Sequence, residues 1–386
     1  MEKEIEDKIH EIASYLKLNR PDDIGLFTGI GGYVLFFYYY NKIFKKSLYD
    51  GLEYILLEDI FDRINLYKIT DYSFCRGLSG IAWLLSFLHK NGDLSDGDYK
   101  ITDELDFYLY NKMMFLLSFS NYDFLHGATG IVFYFLKKNK LCYLKDFVKQ
   151  IDLLAIKEMS NYKWKNFILD NSFSVSLAHG MSSIILILTK IYELGVIECE
   201  AIINGGINFV ISQKYPYKNR SIYPSKTLEF DSSLYSRMGW CYGDLGIALM
   251  ILNVSKVLDN KTLYIHALEI IRESSKRVDL NKDFVFDACV CHGTSGIAML
   301  FKSFYEYTKC DYLVQIWNFW VKKTMNFSTQ YQQQQQQAGF KFHVGGQVFS
   351  SELEYCNLLQ GVCGVGLSLL STIDPTIRWE ECLLMR

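Results

Sequence analysis

Two short motifs carry side chains that could bind a metal ion. The segment Gly239–Gly246 reads GWCYGDLG and contains Cys241. The segment Cys289–Gly296 reads CVCHGTSG and contains Cys291 beside His292. Each motif therefore places a cysteine two residues before a glycine. Because adjacent side chains diverge in a regular helix or strand, Cys291 and His292 can reach one ion only from a turn.

Two thiolates and one imidazole form a ligand set that suits zinc and leaves the fourth tetrahedral position open, as in catalytic zinc sites. If the two motifs lie side by side, we predict that Cys241, Cys291 and His292 hold one Zn²⁺ ion. Cys289 is a substitute ligand, but it lies out of register with Cys241. The alternative is a set of buried free cysteines beside a packed histidine.

Four further residues lie shortly before these turns. His126 and His179 immediately precede the glycines of their repeats, Asp123 lies four residues before its glycine, and Arg237 lies four residues before Cys241. A histidine titrates near neutral pH, so His179 is a candidate proton donor. Arg237 would stabilise an enolate oxygen, and Asp123 would orient a histidine or hold a substrate backbone. For each of them the alternative is a capping or packing role. Three other residues near glycines are interpreted as structural: Cys75, Cys363 and Asp244.

The open zinc position indicates the chemistry. A thiol from a substrate would bind there, and coordination would lower its pKa below the free value of about 8.5. The resulting thiolate needs an electrophile, and addition to that electrophile needs a proton for the product carbanion or enolate. We expect His179 to supply this proton.

The elements that position these residues are repeats, because seven segments share a glycine, two variable residues, a second small residue and an apolar run. Their first glycines are spaced by 48, 50, 53, 63, 50 and 68 residues. A period of about fifty residues accommodates two helices of about 15 residues with their connections, so each unit is a helical hairpin. The segments begin at Gly29, Gly77, Gly127, Gly180, Gly243, Gly293 and Gly361.

The apolar run after each glycine pair predicts a helix that is buried on most faces, whereas the intervening helices carry charge on one face. Examples of the second kind are Leu141–Ile156 and Tyr264–Arg277. Seven inner and seven outer helices predict an all-α fold, an α/α toroid, with an open α-solenoid as the alternative. All seven turns should then lie at one end, where helix N-termini favour anions.

Composition sets limits on the class of protein. The 386 residues are 50% hydrophobic with a net charge of −3, which argues against a nucleic-acid partner. The charged, amphipathic start is not a secretory signal, and no apolar run is long enough to span a membrane. Ten scattered cysteines fit a reducing cytoplasm. No linker divides the chain, so we predict a single domain over residues 1–386.

Two of the spacings are long. The excess before Cys241 is the polar stretch Lys214–Ser236, which could form a loop over the predicted metal site. The excess before Gly361 includes the six glutamines Gln332–Gln337 and the following AGFKFHVGGQ. We predict a poorly ordered surface loop there, because low-complexity polar sequence does not build a packed core.

The chain resembles the lanthionine synthetase C-like family of peptide cyclases. The features that carry this resemblance are the seven glycine-pair hairpins, the WCYG motif, the CHG motif one repeat after WCYG, and the AHG motif two repeats before CHG. The resemblance extends from about Gly25 to the end of the chain. It implies an α/α toroid of seven inner and seven outer helices with zinc at one end. The residues that match the family's ligands and catalytic residues are Cys241, Cys291 and His292 for the metal, and His179, Asp123, Arg237 and Tyr242 for catalysis.

This resemblance implies the addition of peptide cysteine thiols to dehydroalanine or dehydrobutyrine, which forms lanthionine and methyllanthionine thioether rings. The implied substrate is a dehydrated lanthipeptide precursor with a leader peptide. The implied partners are a separate dehydratase and a transporter, since no dehydratase region precedes the repeats. We expect a cytoplasmic protein, peripheral at the membrane when it joins a synthetase complex. One departure is the fourth repeat, GMSS, for which we expect only a small packing change.

Other functions stay open at this point. A relative within the family would add glutathione to dehydro residues. A thiol-alkylating enzyme of the prenyltransferase type also uses zinc, but the adjacent Cys-His pair argues against it. An α/α glycosidase would need two paired carboxylates, and only Asp123 and Asp244 are candidates. A peptide-binding scaffold without catalysis would be expected to have lost part of the zinc and acid–base set.

Overall fold

The computed structural model describes the chain except for residues 1, 46, 167–171, 231–233, 330–336, 345–346 and 349–355. The chain divides into two compact units. The first combines Met1–Asp71 with Asp279–Arg386, and the second is Tyr72–Val278. The single-domain interpretation over residues 1–386 stays a prediction.

Helices form most of the described chain. In order, they are α1 (Glu2–Leu18), α2 (Ile30–Ile43), α3 (Leu52–Tyr67), α4 (Leu78–Lys90), α5 (Asp96–Tyr99), α6 (Ile101–Ser118), α7 (Ala128–Lys137), α8 (Leu141–Leu154), α9 (Met181–Glu193), α10 (Cys199–Ser212), α11 (Asp244–Val257), α12 (Lys261–Ser275), α13 (Thr294–Thr308), α14 (Tyr312–Thr329) and α15 (Val362–Ile373). Among the described residues, short 3₁₀ turns lie at Gln337–Gly339 and Trp379–Leu383. No described helix is both long enough and apolar enough to cross a membrane.

The helices fall into the two predicted classes. Those that begin directly after the first glycine of a pair are buried almost throughout, as in α4, where every residue from Leu78 to Leu88 is buried. The intervening helices bury one stripe, as in α8, whose buried residues are Leu144, Phe147, Val148 and Ile151. Within the second unit, α7 packs against α4 and α9, and α9 packs against α11. Within the first unit, α15 packs against α2 and α13.

A repeated turn precedes the buried helices. At the third glycine pair, the N–H of Gly127 donates to the carbonyl of Asp123 at 3.0 Å, and the N–H of Ala128 donates to the carbonyl of Asn121 at 3.0 Å. The same pair of hydrogen bonds closes the turns before α2, through Gly29 and Ile30. A Cβ atom at Gly127 would stand 2.4 Å from the backbone nitrogen of Asp123, so the turn requires glycine there.

Neighbouring turns pair with one another through the residue two positions before the first glycine. In the second unit the N–H of Cys75 donates to the carbonyl of Leu125, and the N–H of Ala178 donates to the carbonyl of Cys241. In the first unit the N–H of Cys291 donates to the carbonyl of Leu359. Cys241 and Cys291 therefore occupy the same position of the repeat, as their motifs predict.

The second glycine of each pair permits the close approach that we predicted. A Cβ atom at Gly130 would lie 2.6 Å from the Cβ of Phe74, and one at Gly246 would lie 2.8 Å from the Cβ of Leu177. In the fourth repeat Ser183 replaces this glycine. Its side chain is buried, and its hydroxyl donates to the carbonyl of Gly180 at 2.9 Å, which fits the expected small change.

Short antiparallel hairpins add to the helices, and the sequence pattern did not predict them. The strands are β1 (Ile156–Glu158), β2 (Asn161–Lys163), β3 (Lys165–Asn166), β4 (Ser172–Phe173), β5 (His343–Val344) and β6 (Gln347–Val348). They pair as β1 with β2, β3 with β4 and β5 with β6. The predicted helix over Leu141–Ile156 accordingly ends at Leu154, where the chain turns into β1.

The two long spacings differ in their outcome. The described part of Lys214–Ser236 forms no helix or strand, and it packs on α11, because the N–H groups of Ile222 and Tyr223 donate to the Asp244 carboxylate. Within Gln332–Gln337, residues 332–336 lie outside the described residues. The prediction of a surface loop is wrong for the segment that follows, since Phe340 and Phe342 are buried. Two aromatic side chains in this segment favour burial over solvation.

Candidate metal and acid–base sites

The predicted ligands Cys291 and His292 lie in the turn before α13. Only 7% of Cys291 and 9% of His292 is accessible to solvent. The Sγ of Cys291 and a ring nitrogen of His292 lie within 4.8 Å of each other, so one ion could contact both. As the motif indicates, the two residues lie in a turn, since residues 290–292 form a turn and α13 begins at Thr294.

Cys289, the substitute ligand, has a capping role in the same turn. Its Sγ accepts a hydrogen bond from the N–H of His292 at 3.4 Å. Ser73 and Ser176 stand at the same position of their turns, four residues before the glycine, and their hydroxyls accept the equivalent N–H groups of Arg76 and His179. The sulfur of Cys289 thus takes the place of a serine or carboxylate oxygen in the repeat.

Asp287 is a site residue that the sequence reasoning missed. Its Oδ1 accepts from the N–H of Cys289 at 3.0 Å, its Oδ2 accepts from the N–H of His343 at 2.8 Å, and Oδ2 lies 3.9 Å from Nε2 of His292. A signal was present, because Asp287 stands six residues before its glycine as Asp23 stands six before Gly29. No repeat pattern could have indicated His343, since it lies in the extra sequence inserted before the seventh repeat, which begins at Gly361.

The thiol of Cys241 belongs to the second unit. Cys241 is buried. The turn that carries it ends at Gly243, whose φ of +94° is a backbone conformation that residues other than glycine rarely adopt. Arg277 contacts both the loop before Cys241 and α11, because its Nη2 donates to the carbonyl of Ser236 at 2.6 Å and its Nη1 lies 3.3 Å from Oδ2 of Asp244. Both side chains are nearly inaccessible, so the interpretation of Asp244 as structural is consistent with its contacts.

Asp123 and His179 form a hydrogen-bonded pair in the second unit. Oδ2 of Asp123 accepts from Nδ1 of His179 at 2.7 Å, while Oδ1 accepts from the N–H groups of Leu125 and His126. The carboxylate is fully buried, and 21% of the His179 side chain is exposed. One oxygen of Asp123 therefore caps the turn, as other residues do in the repeat, and the other oxygen orients the histidine.

The environment of His179 favours its protonated form. Burial is the largest influence and lowers the pKa of His179, but the hydrogen bond to Asp123, the charge of Asp123 and the charge of Cys241 outweigh it. Together these contacts raise the pKa of His179 above its ordinary value of 6.5. A histidine with a raised pKa holds a proton near neutral pH and can donate it.

Three further predicted residues lie in the same unit. The ring of Tyr242 contacts that of His179, with 6.1 Å between centroids, and the ring of His126 stacks at 6.4 Å from the same imidazole. Arg237 is half-buried in the loop that leads to Cys241. The structure thus brings Asp123, His179 and Tyr242 together, and the catalytic roles of these residues stay predictions.

A separate cleft of about 420 Å³ lies between α8, the β1–β2 hairpin and α10. Lysines, two acidic residues, a tyrosine and aliphatic side chains line it, and its lining contains no cysteine or histidine. It therefore offers none of the donors that the predicted thiol chemistry needs.

The donor set of this chain suits zinc. Sulfur and imidazole donors are the preferred ligands of Zn²⁺, whereas Mg²⁺ and Ca²⁺ prefer oxygen. The turn before α13 supplies a thiol, Cys291, and an imidazole, His292, whose donor atoms are close enough to bind one ion. A cluster of cysteine and histidine that is consistent with a metal site is therefore present.

Comparisons with known proteins show which family this chain resembles. The profile of the lanthionine synthetase C-like protein family matches residues 20–384. The nisin biosynthesis protein NisC of Lactococcus lactis subsp. lactis is 27% identical over 320 residues, which cover 72% of this chain and 72% of that protein.

A solved structure named nisin cyclase superposes with a TM-score of 0.72 at 18% identity, over 99% of this chain and 98% of the other. At this identity the likeness concerns the fold, and it confirms the predicted class, an all-α fold of the α/α toroid type. Because the family profile matches nearly the whole sequence, this chain belongs to the lanthionine synthetase C-like family.

Proposed function

We propose that this protein is a zinc-dependent peptide cyclase. It adds cysteine thiols of a peptide to dehydroalanine or dehydrobutyrine residues of the same peptide and so forms lanthionine and methyllanthionine rings. The observation that carries the proposal is the hydrogen-bonded Asp123–His179 pair in a member of this family that also retains the Cys-His turn. The name of the similar protein NisC and that of the similar structure, nisin cyclase, support the same activity.

The proposed zinc ligands are Cys241, Cys291 and His292. Two observations support them. Both cysteines stand two residues before the glycine of their turns, and this is the position through which neighbouring turns pair in each unit. The Sγ of Cys291 and a ring nitrogen of His292 are also close enough to share one ion. When bound, zinc lowers the pKa of a substrate thiol and supplies a thiolate near neutral pH.

His179 is the proposed proton donor. A carboxylate only accepts hydrogen bonds, so the contact with Asp123 places a proton on Nδ1 and leaves Nε2 to exchange a proton with the substrate. In the addition, the sulfur forms a bond to the β-carbon and the electron pair of the double bond moves towards the α-carbon. His179 then protonates the α-carbon through Nε2. The net reaction adds S–H across C=C, and the mass of the peptide does not change.

Arg237 and Tyr242 complete the proposed catalytic set. A guanidinium stabilises the negative charge that develops on the carbonyl oxygen next to the α-carbon during addition. Arg237 has this role in the proposal. Tyr242 packs its ring against the imidazole of His179, which restricts the orientation of the proton donor.

The proposed substrate is a dehydrated lanthipeptide precursor that carries a leader peptide. Since the reaction consumes dehydro residues and this mechanism cannot make them, a separate dehydratase must act first. A transporter that exports the product is the proposed further partner, and the proposed location is the cytoplasm, with peripheral association at the membrane.

The direct test is ring closure on a dehydrated peptide that contains cysteine. With purified protein and zinc, we expect free thiols to disappear while the mass of the peptide stays constant. Addition of glutathione in a parallel reaction separates the alternative within the family, because glutathione addition raises the mass and leaves the peptide thiols unreacted. An unchanged thiol count with a substrate that a known cyclase closes would contradict the proposal.

A further inference from the structure

The insertion before the seventh repeat contacts the turn that carries His292. Phe340 and Phe342 of this insertion are buried, and the next residue, His343, reaches the turn with its main chain. The N–H of His343 donates to Oδ2 of Asp287 at 2.8 Å, and the carbonyl oxygen of His343 lies 3.2 Å from Nε2 of His292. One residue of the insertion thus connects Asp287 to the imidazole of His292.

This contact determines which ring nitrogen carries the proton. A carbonyl oxygen only accepts hydrogen bonds, so Nε2 of His292 must be the protonated nitrogen that donates to His343. The carboxylate of Asp287, with Oδ2 at 3.9 Å from the same nitrogen, adds a negative charge beside that proton. A neutral imidazole protonated on Nε2 has its lone pair on Nδ1. Nδ1 is then the nitrogen that can bind a metal.

We infer that Asp287 and the main chain of His343 are a positioning element that sets the tautomer and the ring orientation of His292 for zinc binding through Nδ1. The inference rests on the ligand role of His292 in the proposed function. Histidine ligands of metals generally donate their other ring N–H to a carbonyl or a carboxylate, and loss of such a partner costs about 10- to 100-fold in metal affinity.

The same residues do not form a second metal site. Potential ligand atoms of Asp287, Cys289 and His292 lie within 4.8 Å of one another. However, the Sγ of Cys289 accepts the N–H of His292, and both oxygens of Asp287 accept main-chain N–H groups. These three acceptors already fix the main chain of a buried turn, so we assign the cluster to the positioning of His292.

The variant Asp287→Asn tests the inference. An amide has one oxygen acceptor, so it can satisfy only one of the two N–H donors that the carboxylate satisfies, and it removes the charge near Nε2. The matched control is Asp23→Asn. Asp23 stands at the same position of the first turn, where Oδ1 accepts from the N–H of Gly25 and Oδ2 accepts from the hydroxyl of Thr28.

Zinc affinity of the full-length protein is measured by competition with a chromophoric chelator, and circular dichroism checks the fold. We expect Asp287→Asn to weaken affinity about 10- to 100-fold and Asp23→Asn to leave it unchanged. In zinc-free protein, ¹H–¹⁵N NMR should show His292 as the Nε2–H tautomer in the wild type and in Asp23→Asn, and as a mixture in Asp287→Asn.

A third variant, His343→Ala, separates the main chain from the side chain of His343. Nδ1 of His343 is buried and has no hydrogen-bond partner among the described residues, so its imidazole is the rival candidate for metal binding. We expect His343→Ala to bind zinc as the wild type does. A loss of affinity as large as that in Asp287→Asn would overturn the inference, because the side chain would then be the element that matters.

The variant His292→Asn distinguishes this inference from the proposed function. Retained zinc in His292→Asn would overturn the ligand assignment and the inference together. Zinc loss in His292→Asn with unchanged affinity in Asp287→Asn would overturn the inference alone.

Discussion

Two aspartates in corresponding turns lie beside histidines, and their contacts differ in a way that fits the different roles proposed for these histidines. Asp123 contacts Nδ1 of His179 directly at 2.7 Å, whereas the carboxylate of Asp287 lies 3.9 Å from Nε2 of His292 and a neutral carbonyl takes the hydrogen bond. A direct carboxylate contact stabilises the imidazolium, which suits a proton donor. A carbonyl contact fixes a tautomer without adding full charge, which suits a metal ligand.

The comparison also shows how the repeat is reused. Asp123 occupies the capping position four residues before its glycine, where four of the other turns carry serine, asparagine or cysteine and two carry glycine. Its Oδ1 accepts the main-chain N–H of His126 and so caps the turn, whereas its Oδ2 accepts from Nδ1 of His179. A second oxygen at a structural position is therefore available for the hydrogen bond to His179.

The largest effect on this comparison is expected from His179→Asn. Loss of a general acid costs about 10²- to 10⁴-fold in rate, and zinc content should stay at the wild-type level. The control is His126→Asn, which removes the stacked neighbouring ring and should change the rate only slightly. Ring-closure kinetics and metal analysis provide both readouts. Equal rates in the wild type and His179→Asn would remove this residue from the mechanism.

Asp123→Asn should have the next largest effect. A hydrogen bond to a charged group contributes about 1.5–3 kcal/mol, which corresponds to about 10- to 100-fold in rate. The carboxylate raises the pKa of His179 against the effect of burial, so without its charge the pKa should fall. The protonated form is lost as pH rises through the pKa, and the alkaline limb of the pH–rate profile should therefore move to lower pH.

The Asp123–His179 pair also makes a testable contribution to stability. Since the folded pKa of His179 is raised, the stabilisation is fully present below the unfolded value of about 6.5 and is lost as pH rises through the folded pKa. Thermal melts of the wild type and Asp123→Asn should thus differ more at acidic than at alkaline pH. A pH–rate profile of Asp123→Asn that coincides with the wild-type profile would contradict the assigned role.

The scaffold of the turns is tested by Gly296→Ala. A Cβ atom at Gly296 would stand 1.8 Å from the carbonyl oxygen of Val290, so the turn that carries Cys291 and His292 must shift. Overpacking of this kind costs about 1–3 kcal/mol. Ser183→Gly at the equivalent position of the fourth repeat is the control, and we expect a change below about 1 kcal/mol. Chemical denaturation measures both free energies of unfolding.

The smallest effect is expected from Cys289→Ser. The Sγ of Cys289 accepts the N–H of His292, and serine hydroxyls accept the equivalent N–H groups in two other turns. Zinc content should therefore be unchanged, and stability should change by less than about 1 kcal/mol. Release of zinc by this substitution would instead identify Cys289 as a ligand.

The sequence predicted most of the fold because the helices and their glycines repeat. The glycine pairs, the buried helices and the equivalence of Cys241 and Cys291 follow from spacing and steric limits that each repeat shows again. The pairing of Asp123 with His179 was predicted only as one of two roles, because contacts between side chains that lie 56 residues apart depend on packing.

The sequence did not predict elements that occur once. The β1–β2 hairpin and the buried segment around Phe340 are insertions, and no other repeat supplies a pattern for them. The sequence did not indicate the proposed role of Asp287 for a related reason. Its partner His343 lies 56 residues away in such an insertion, and so its main-chain contacts have no local signature.

We propose that Cys241, Cys291 and His292 hold one zinc ion, and metal content tests this ligand set most directly. The measurement is the zinc-to-protein ratio of Cys241→Ala and Cys291→Ala, with circular dichroism to verify the fold. The control is Cys199→Ala. Cys199 is a thiol of α10, and burial raises its pKa to about 12. We predict about one zinc per chain in the wild type and the control, and almost none in the other two variants. Full zinc content in a folded Cys241→Ala protein would contradict the account.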